Sequence, residues 1–106
     1  MTSLSARHCQ PKVSRLTTQA AQQWLSLLPA WRIEQDALAR IFAFTNFHET
    51  MAFVNMVAFI AHREDHHPDL TVSYNRCRVA YHTHSVGGLS ENDFICAAHI
   101  DLVCNQ

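Results

Sequence analysis

Glycine and proline are scarce: the 106 residues hold two of the first and three of the second. That scarcity excludes collagen-like and low-complexity chains. No C-x-x-C pair occurs among Cys9, Cys77, Cys96 and Cys104. No charge of one sign dominates either, since eight Lys+Arg face nine Asp+Glu and the net charge is -1 with His neutral. A phosphate-binding footprint needs clustered positive charge, so nucleic-acid binding is not expected. No apolar run approaches the roughly 18 residues that span a bilayer, and the polar N-terminus lacks the apolar core of a secretory signal. The expected location is the cytoplasm, with the four cysteines as reduced thiols rather than two disulfides. What the chain does have is a globular balance, 48% hydrophobic and 16% charged, in a length that suits one domain. It also has eight histidines, five of them within residues 62–84.

Residues 1–15 carry almost no periodic apolar signal and are expected to form a flexible arm before a single domain over 16–106. A first helix is predicted over 17–28, capped by Thr17 or Thr18 and stopped by Pro29. Trp31 and Ile33 alternate with Arg32 and Glu34 as a short strand, Gln35-Asp36 turns the chain, and 38–44 reads as a second strand. Asn46 caps a second helix running to about Asp65. Between Met51 and Ala61 its only polar residue is Asn55, so the helix is apolar nearly all round and a subunit interface is expected to cover its second face. Pro68 disfavours helical geometry at His67 and ends the helix before the His66-His67 pair. Leu70, Val72 and Tyr74 alternate in a third strand. A turn near Asn75 leads into a fourth, with Cys77, Val79, Tyr81 and Thr83 on one face and Arg78, Ala80, His82 and His84 on the other, one long bent strand being the alternative. Ser90 and Asp93 imitate a capping box and open a last helix to about Val103. The order α-β-β-α-β-β-α predicts an α+β fold, a four-stranded antiparallel sheet with helices on one face.

The histidines invite chemistry because imidazole moves protons near neutral pH. His62 and His66 are four apart on one helical face, and a helix C-terminus stabilises a cation at His66 and His67. His82 and His84 share one side of a strand. If the hairpin folds beside the helix, these imidazoles converge. Three readings compete: solvated histidines, a zinc site, and metal-free acid/base catalysis. The run His62-Arg63-Glu64-Asp65-His66 is not H-E-x-x-H, which counts against zinc.

Asp65-His66-His67-Pro68, then Thr83-His84, then Gly88-Leu89-Ser90 and Asp93, resembles the signature of pterin-4a-carbinolamine dehydratases. Leu28-Pro29-Ala30-Trp31 resembles the family's Leu-Pro-x-Trp lead into its first strand. Phe42-x-Phe44-x-Asn46-Phe47 resembles its strand-to-helix junction, and Ala52-Phe53-Val54 falls in the long helix. The resemblance spans about residues 16–104 and implies a dimeric or tetrameric protein. It implies removal of water from a 4a-hydroxytetrahydropterin to give the quinonoid dihydropterin, recycling the cofactor of aromatic amino-acid hydroxylases. The family's histidines carry over onto His66, His67 and His84, with Asp93 as the accompanying acid. Asp65, Pro68, Thr83 and Ser85 join these residues around the substrate. No cofactor or metal is implied.

Expelling hydroxide from C4a needs a proton donor at oxygen, and loss of the N5 proton needs an acceptor. His66 and His84 are the expected acid/base pair, His66 being the better candidate for the acid. His67 would orient the substrate, and Asp65 and Asp93 would position imidazoles. His62 stands where the family often carries an acid, and Asn92 where some relatives carry Arg; His82 is expected to be solvated. Two alternatives are a non-enzymatic dimerisation cofactor of a transcription factor, working through the long helix, and a relative serving another pterin.

Overall fold

The computed structural model describes residues 3–104. Three α-helices and a four-stranded antiparallel sheet follow one another as α1 (Thr18–Leu25), β1 (Arg32–Glu34), β2 (Ala37–Ala43), α2 (Phe47–Glu64), β3 (Asp69–Val72), β4 (Arg76–Tyr81) and α3 (Glu91–Cys104). Short 3-10 turns lie at Leu4–Ala6 and His84–Val86. The expected α+β architecture and element order are therefore those of the protein. The strands lie in the order β1-β2-β4-β3, so two hairpins meet at the β2–β4 seam.

That seam explains the core. Leu38 stands opposite Tyr81, Arg40 opposite Val79 and Phe42 opposite Cys77, and strand alternation sends these six to one face. All but Arg40 are buried there, together with Phe53, Val57 and Ile60 of α2 and Phe94, Ile95 and Ile100 of α3. Arg40 reaches the same face by laying its guanidinium over the Phe42 ring and pairing with Asp101 of α3 at 2.8 Å. Asp101 also accepts the Trp31 indole N–H at 3.0 Å, which ties the end of α3 to β1.

Several boundaries differ from the expected ones. Thr17 caps α1 through Ala20 N–H, but the helix stops at Leu25 rather than Leu28, because the chain tightens through turns that bury Leu28 and Trp31. Gln35 and Asp36 do turn the β1–β2 hairpin, both with positive φ (50° and 62°), the twist that a two-residue hairpin requires. β4 ends at Tyr81, so His84 lies on the following 3-10 turn and not on a strand.

The helix surrounded by protein is α3, whose residues 92–100 are all buried. In α2 one stripe is buried (Thr50, Phe53, Val57, Ile60 and Glu64), while Ala52, Asn55, Ala58 and Phe59 are exposed on this chain.

Within the arm, Cys9 N–H donates to Glu64 Oε1, and Gln10 and Asn92 exchange two hydrogen bonds. The Cys9 and Cys96 sulfurs stand 3.3 Å apart as free thiols. The hydrogen bond with Cys9 and burial both push the Cys96 thiol up, so it stays protonated.

Candidate active site

Local geometry at the end of α2 places the first two histidines. Asp65 takes the left-handed conformation (φ 51°, ψ 44°). Its N–H donates to the His62 carbonyl and His66 N–H to the Ala61 carbonyl. This is a Schellman-type ending with Asp at the position that usually holds Gly. It fixes the backbone from which His66 projects, and Pro68 prevents the helix from resuming.

His66 points inward, with 13% of its side chain exposed. Its ring stacks on Tyr81 (centroids 5.7 Å, planes 15° apart) and its Nε2 lies 2.6 Å from Asp93 Oδ1. Asp93 is fully buried and its other oxygen is occupied: Thr83 Oγ1 donates to Oδ2 at 2.8 Å, and Ser90 N–H donates to it at 2.9 Å. The second bond completes the capping-box arrangement at the start of α3. Thr83 Oγ1 also contacts Ser90 Oγ at 2.7 Å, so both hydroxyls belong to the carboxylate's support. An ionised carboxylate only accepts, which assigns the hydrogen of the bond to His66 Nε2 and leaves Nδ1 as the ring atom able to exchange protons. A buried carboxylate on one nitrogen also pairs the positive charge that appears when the other is protonated.

His67 is exposed beside His66. His84, also exposed, meets the His82 ring edge-on (centroids 4.9 Å, planes 71° apart). His82 differs from its expected solvated role. It is half-buried and donates Nδ1–H to the Asp36 carbonyl in the β1–β2 turn at 2.9 Å, making it a fixed wall for His84. The structure thus groups His66 with Asp93, Thr83 and Ser90, and His84 with His82, rather than joining all five imidazoles in one contact network. His62, Asp65 and Ser85 are exposed. Pro68 is partly buried at the turn into β3.

Burial pushes the Tyr81 phenol above its ordinary range. Its hydroxyl has no hydrogen-bond partner among the described residues, so Tyr81 serves the site as a rigid apolar platform. The Thr83–Ser90–Asp93 network had a signal in the sequence: Thr83 continues the inward parity of Cys77, Val79 and Tyr81. The tie from His82 to Asp36 had none, because a backbone carbonyl is the partner.

A family model described as pterin 4 alpha carbinolamine dehydratase matches residues 14–103. The chain is a member of that family. A relative from Nitrosomonas eutropha is 49% identical over 104 residues, covering 94% of this chain and 92% of the relative. One from Bdellovibrio bacteriovorus is 50% identical over 109 residues, covering 99% and 91%. Both are provisionally named pterin-4-alpha-carbinolamine dehydratase. A crystal structure of a transcriptional coactivator/pterin dehydratase from Brucella melitensis superposes with a TM-score of 0.80 at 32% identity, over 85% of this chain and 98% of that one. A pterin dehydratase-like protein described as a RuBisCO assembly factor of the alpha-carboxysome shares the fold, with a TM-score of 0.62 at 21% identity over 73% and 92%.

The exposed left-handed Asp65 gives a sharp test of what that residue does. Asp65→Gly should leave stability unchanged or raise it by up to about 1 kcal/mol, because Gly accepts positive φ without a Cβ penalty. Urea unfolding checks this, and kcat/KM separates the two roles: a lower kcat/KM at unchanged stability gives the carboxylate its expected part in the site, and an unchanged kcat/KM leaves it only the helix ending.

Proposed function

We propose that the chain dehydrates a 4a-hydroxytetrahydropterin to the quinonoid dihydropterin. The observation that carries this reading is the His66–Asp93 pair: an imidazole anchored at one nitrogen by a buried carboxylate, open at the other, at the position of the family's first histidine. The C4a–O bond breaks as an imidazolium gives its proton to the departing hydroxyl, which leaves as water. The N5–H bond breaks as a second base takes that proton, and its electrons form the C4a=N5 double bond. One proton is given and one taken, so no metal or redox partner is needed. His66 acts through Nδ1 as the acid, and His84, packed edge-on against the His82 ring, is the base. His67 binds and orients the ring, with Pro68 and Ser85 at its border. Thr83 acts indirectly, through Asp93. Asp93 is a positioning residue.

The product is the species that a reductase returns to the tetrahydropterin. This reading therefore links the chain to recycling of the cofactor of aromatic amino-acid hydroxylases in the cytoplasm. The test is the decay of a 4a-hydroxytetrahydropterin generated in situ. Protein should accelerate it over the spontaneous rate and continue to do so after exhaustive chelation; acceleration abolished by chelation and restored by stoichiometric zinc would contradict the metal-free reading.

The exposed face of α2 supports a homodimer or homotetramer. Phe59 is 63% exposed beside Ala52, Asn55 and Ala58 on that face, and a large aromatic there gains by being covered. Phe59→Asp should convert the assembly to monomer in sedimentation at micromolar concentration without unfolding it. A parent chain that already sediments as a monomer contradicts the reading. The same face supports the second reading, a dimerisation cofactor for another protein, but a scaffold has no need of the buried His66–Asp93 pair.

A further inference from the structure

A second histidine cluster lies outside the dehydratase site, where the arm crosses the ends of α2 and α3. His8, Glu64 and His99 each offer one ligand atom, all within 4.8 Å of one another. Glu64 and His99 are buried; His8 is exposed. Nothing in the dehydration chemistry uses them.

The surroundings already have the form of a metal ligand set. His99 Nε2 donates to the Arg7 carbonyl at 2.6 Å, so Nδ1 carries the lone pair and faces the cluster. A ligating imidazole is commonly fixed in this way, by its other nitrogen on a carbonyl. Glu64 Oε1 accepts Cys9 N–H at 2.8 Å, and Oε2 lies 2.9 Å from His8 Nδ1. Burial alone would raise the Glu64 carboxyl, but the Cys9 amide, His8 and Arg63 outweigh it and hold it down at about 2.

The cation now beside these groups is Arg63. Its Nε donates to Glu64 Oε2 at 3.1 Å and its Nη2 to His99 Nδ1 at 2.9 Å. Arg63 is 43% exposed at its side chain, so it is free to swing into solvent.

We propose that His8 Nδ1, Glu64 Oε2 and His99 Nδ1 form a site for a divalent transition metal, zinc foremost, in competition with the Arg63 guanidinium. Two imidazoles and a carboxylate suit zinc better than calcium or magnesium. Tetrahedral ligands on zinc stand about 3.3 Å apart, from metal–ligand distances of about 2.0–2.1 Å. His8 Nδ1 and Glu64 Oε2 already stand 2.9 Å apart, and all three ligand atoms lie within 4.8 Å, so small side-chain shifts close the cluster. A bound ion would join the arm to both helices and stabilise the folded chain by mass action.

The test uses the full chain, stripped with chelator and titrated with zinc alone. One equivalent should bind and raise the melting temperature by several degrees. Glu64→Gln removes hydrogen bonds that the fold uses, so His8→Ala, at an exposed position, carries the test. His8→Ala should weaken binding by at least about 100-fold, leaving the dehydration rate unchanged. Arg63→Gln should tighten binding, since the competing cation is gone. The Cys9→Ser and His82→Ala chains should bind as the parent does. No binding at micromolar zinc overturns the proposal. Binding that survives His8→Ala, or that needs Cys9 or His82, overturns it too by placing the ion elsewhere.

Discussion

His66→Gln should slow dehydration by on the order of 10²-fold or more, with KM little changed. Glutamine nearly matches imidazole in reach, and its amide can still donate to Asp93 Oδ1, so the buried carboxylate keeps its partner. What it lacks is a titratable atom where Nδ1 stood. The loss should therefore fall on kcat, and the urea midpoint should stay close to that of the parent chain. An unchanged kcat would pass the acid role to His84. A loss confined to KM would make His66 a binding residue.

Asp93→Asn should be worse than its small change in shape suggests, because two effects combine. Asp93 accepts three hydrogen bonds, from His66, Thr83 and Ser90 N–H, in a fully buried position. An amide offers one acceptor oxygen and brings two donors. If that oxygen stays on Thr83 and Ser90, the amide nitrogen faces His66 Nε2 and must donate. The imidazole then takes the opposite tautomer, with its hydrogen on Nδ1. Nε2 is then held as an acceptor, so the imidazolium that should give its Nδ1 proton to the departing hydroxyl cannot form, and the carboxylate charge that would pair with it is gone. A rate loss of about 10²-fold or more is expected, with about 2–4 kcal/mol of stability lost from the broken network. Stability and kcat measured on the same preparation separate the two effects. Full activity at reduced stability would make Asp93 a helix cap only.

How much of this was legible in the sequence depends on distance along the chain. Local rules found the elements: Asn46 and Thr17 cap as their side chains predict, and Gln35-Asp36 turns where the apolar alternation breaks. The β2–β4 pairing follows from two hairpins whose inner parities meet at Leu38–Tyr81 and Phe42–Cys77. The end of α1 was misplaced because Leu27 and Leu28 extend the apolar stripe; tertiary packing of Leu28 and Trp31 overrides that periodicity. Apolarity all round α2 pointed to a second face left for a subunit interface, and that face is exposed on this chain; the helix that the fold itself encloses is α3, its Asn92, Asp93 and His99 buried through hydrogen bonds that hydropathy does not reveal. The histidines of the family pattern were visible in the sequence because His66-His67 and His84 lie on recognisable boundaries. The His8–Glu64–His99 cluster was not, since its members stand on three separate segments and match no spacing rule.

The central claim is that His66 and Asp93 act on a 4a-hydroxytetrahydropterin as one catalytic unit. A double-mutant cycle tests it most directly, with kcat for the parent chain, His66→Gln, Asp93→Asn and the double variant measured by stopped-flow against spontaneous dehydration. If Asp93 works through His66, the double variant should be no slower than the worse single variant, since a residue cannot position an imidazole that is absent. Losses that multiply across the cycle, or a parent chain no faster than the spontaneous reaction, would contradict it.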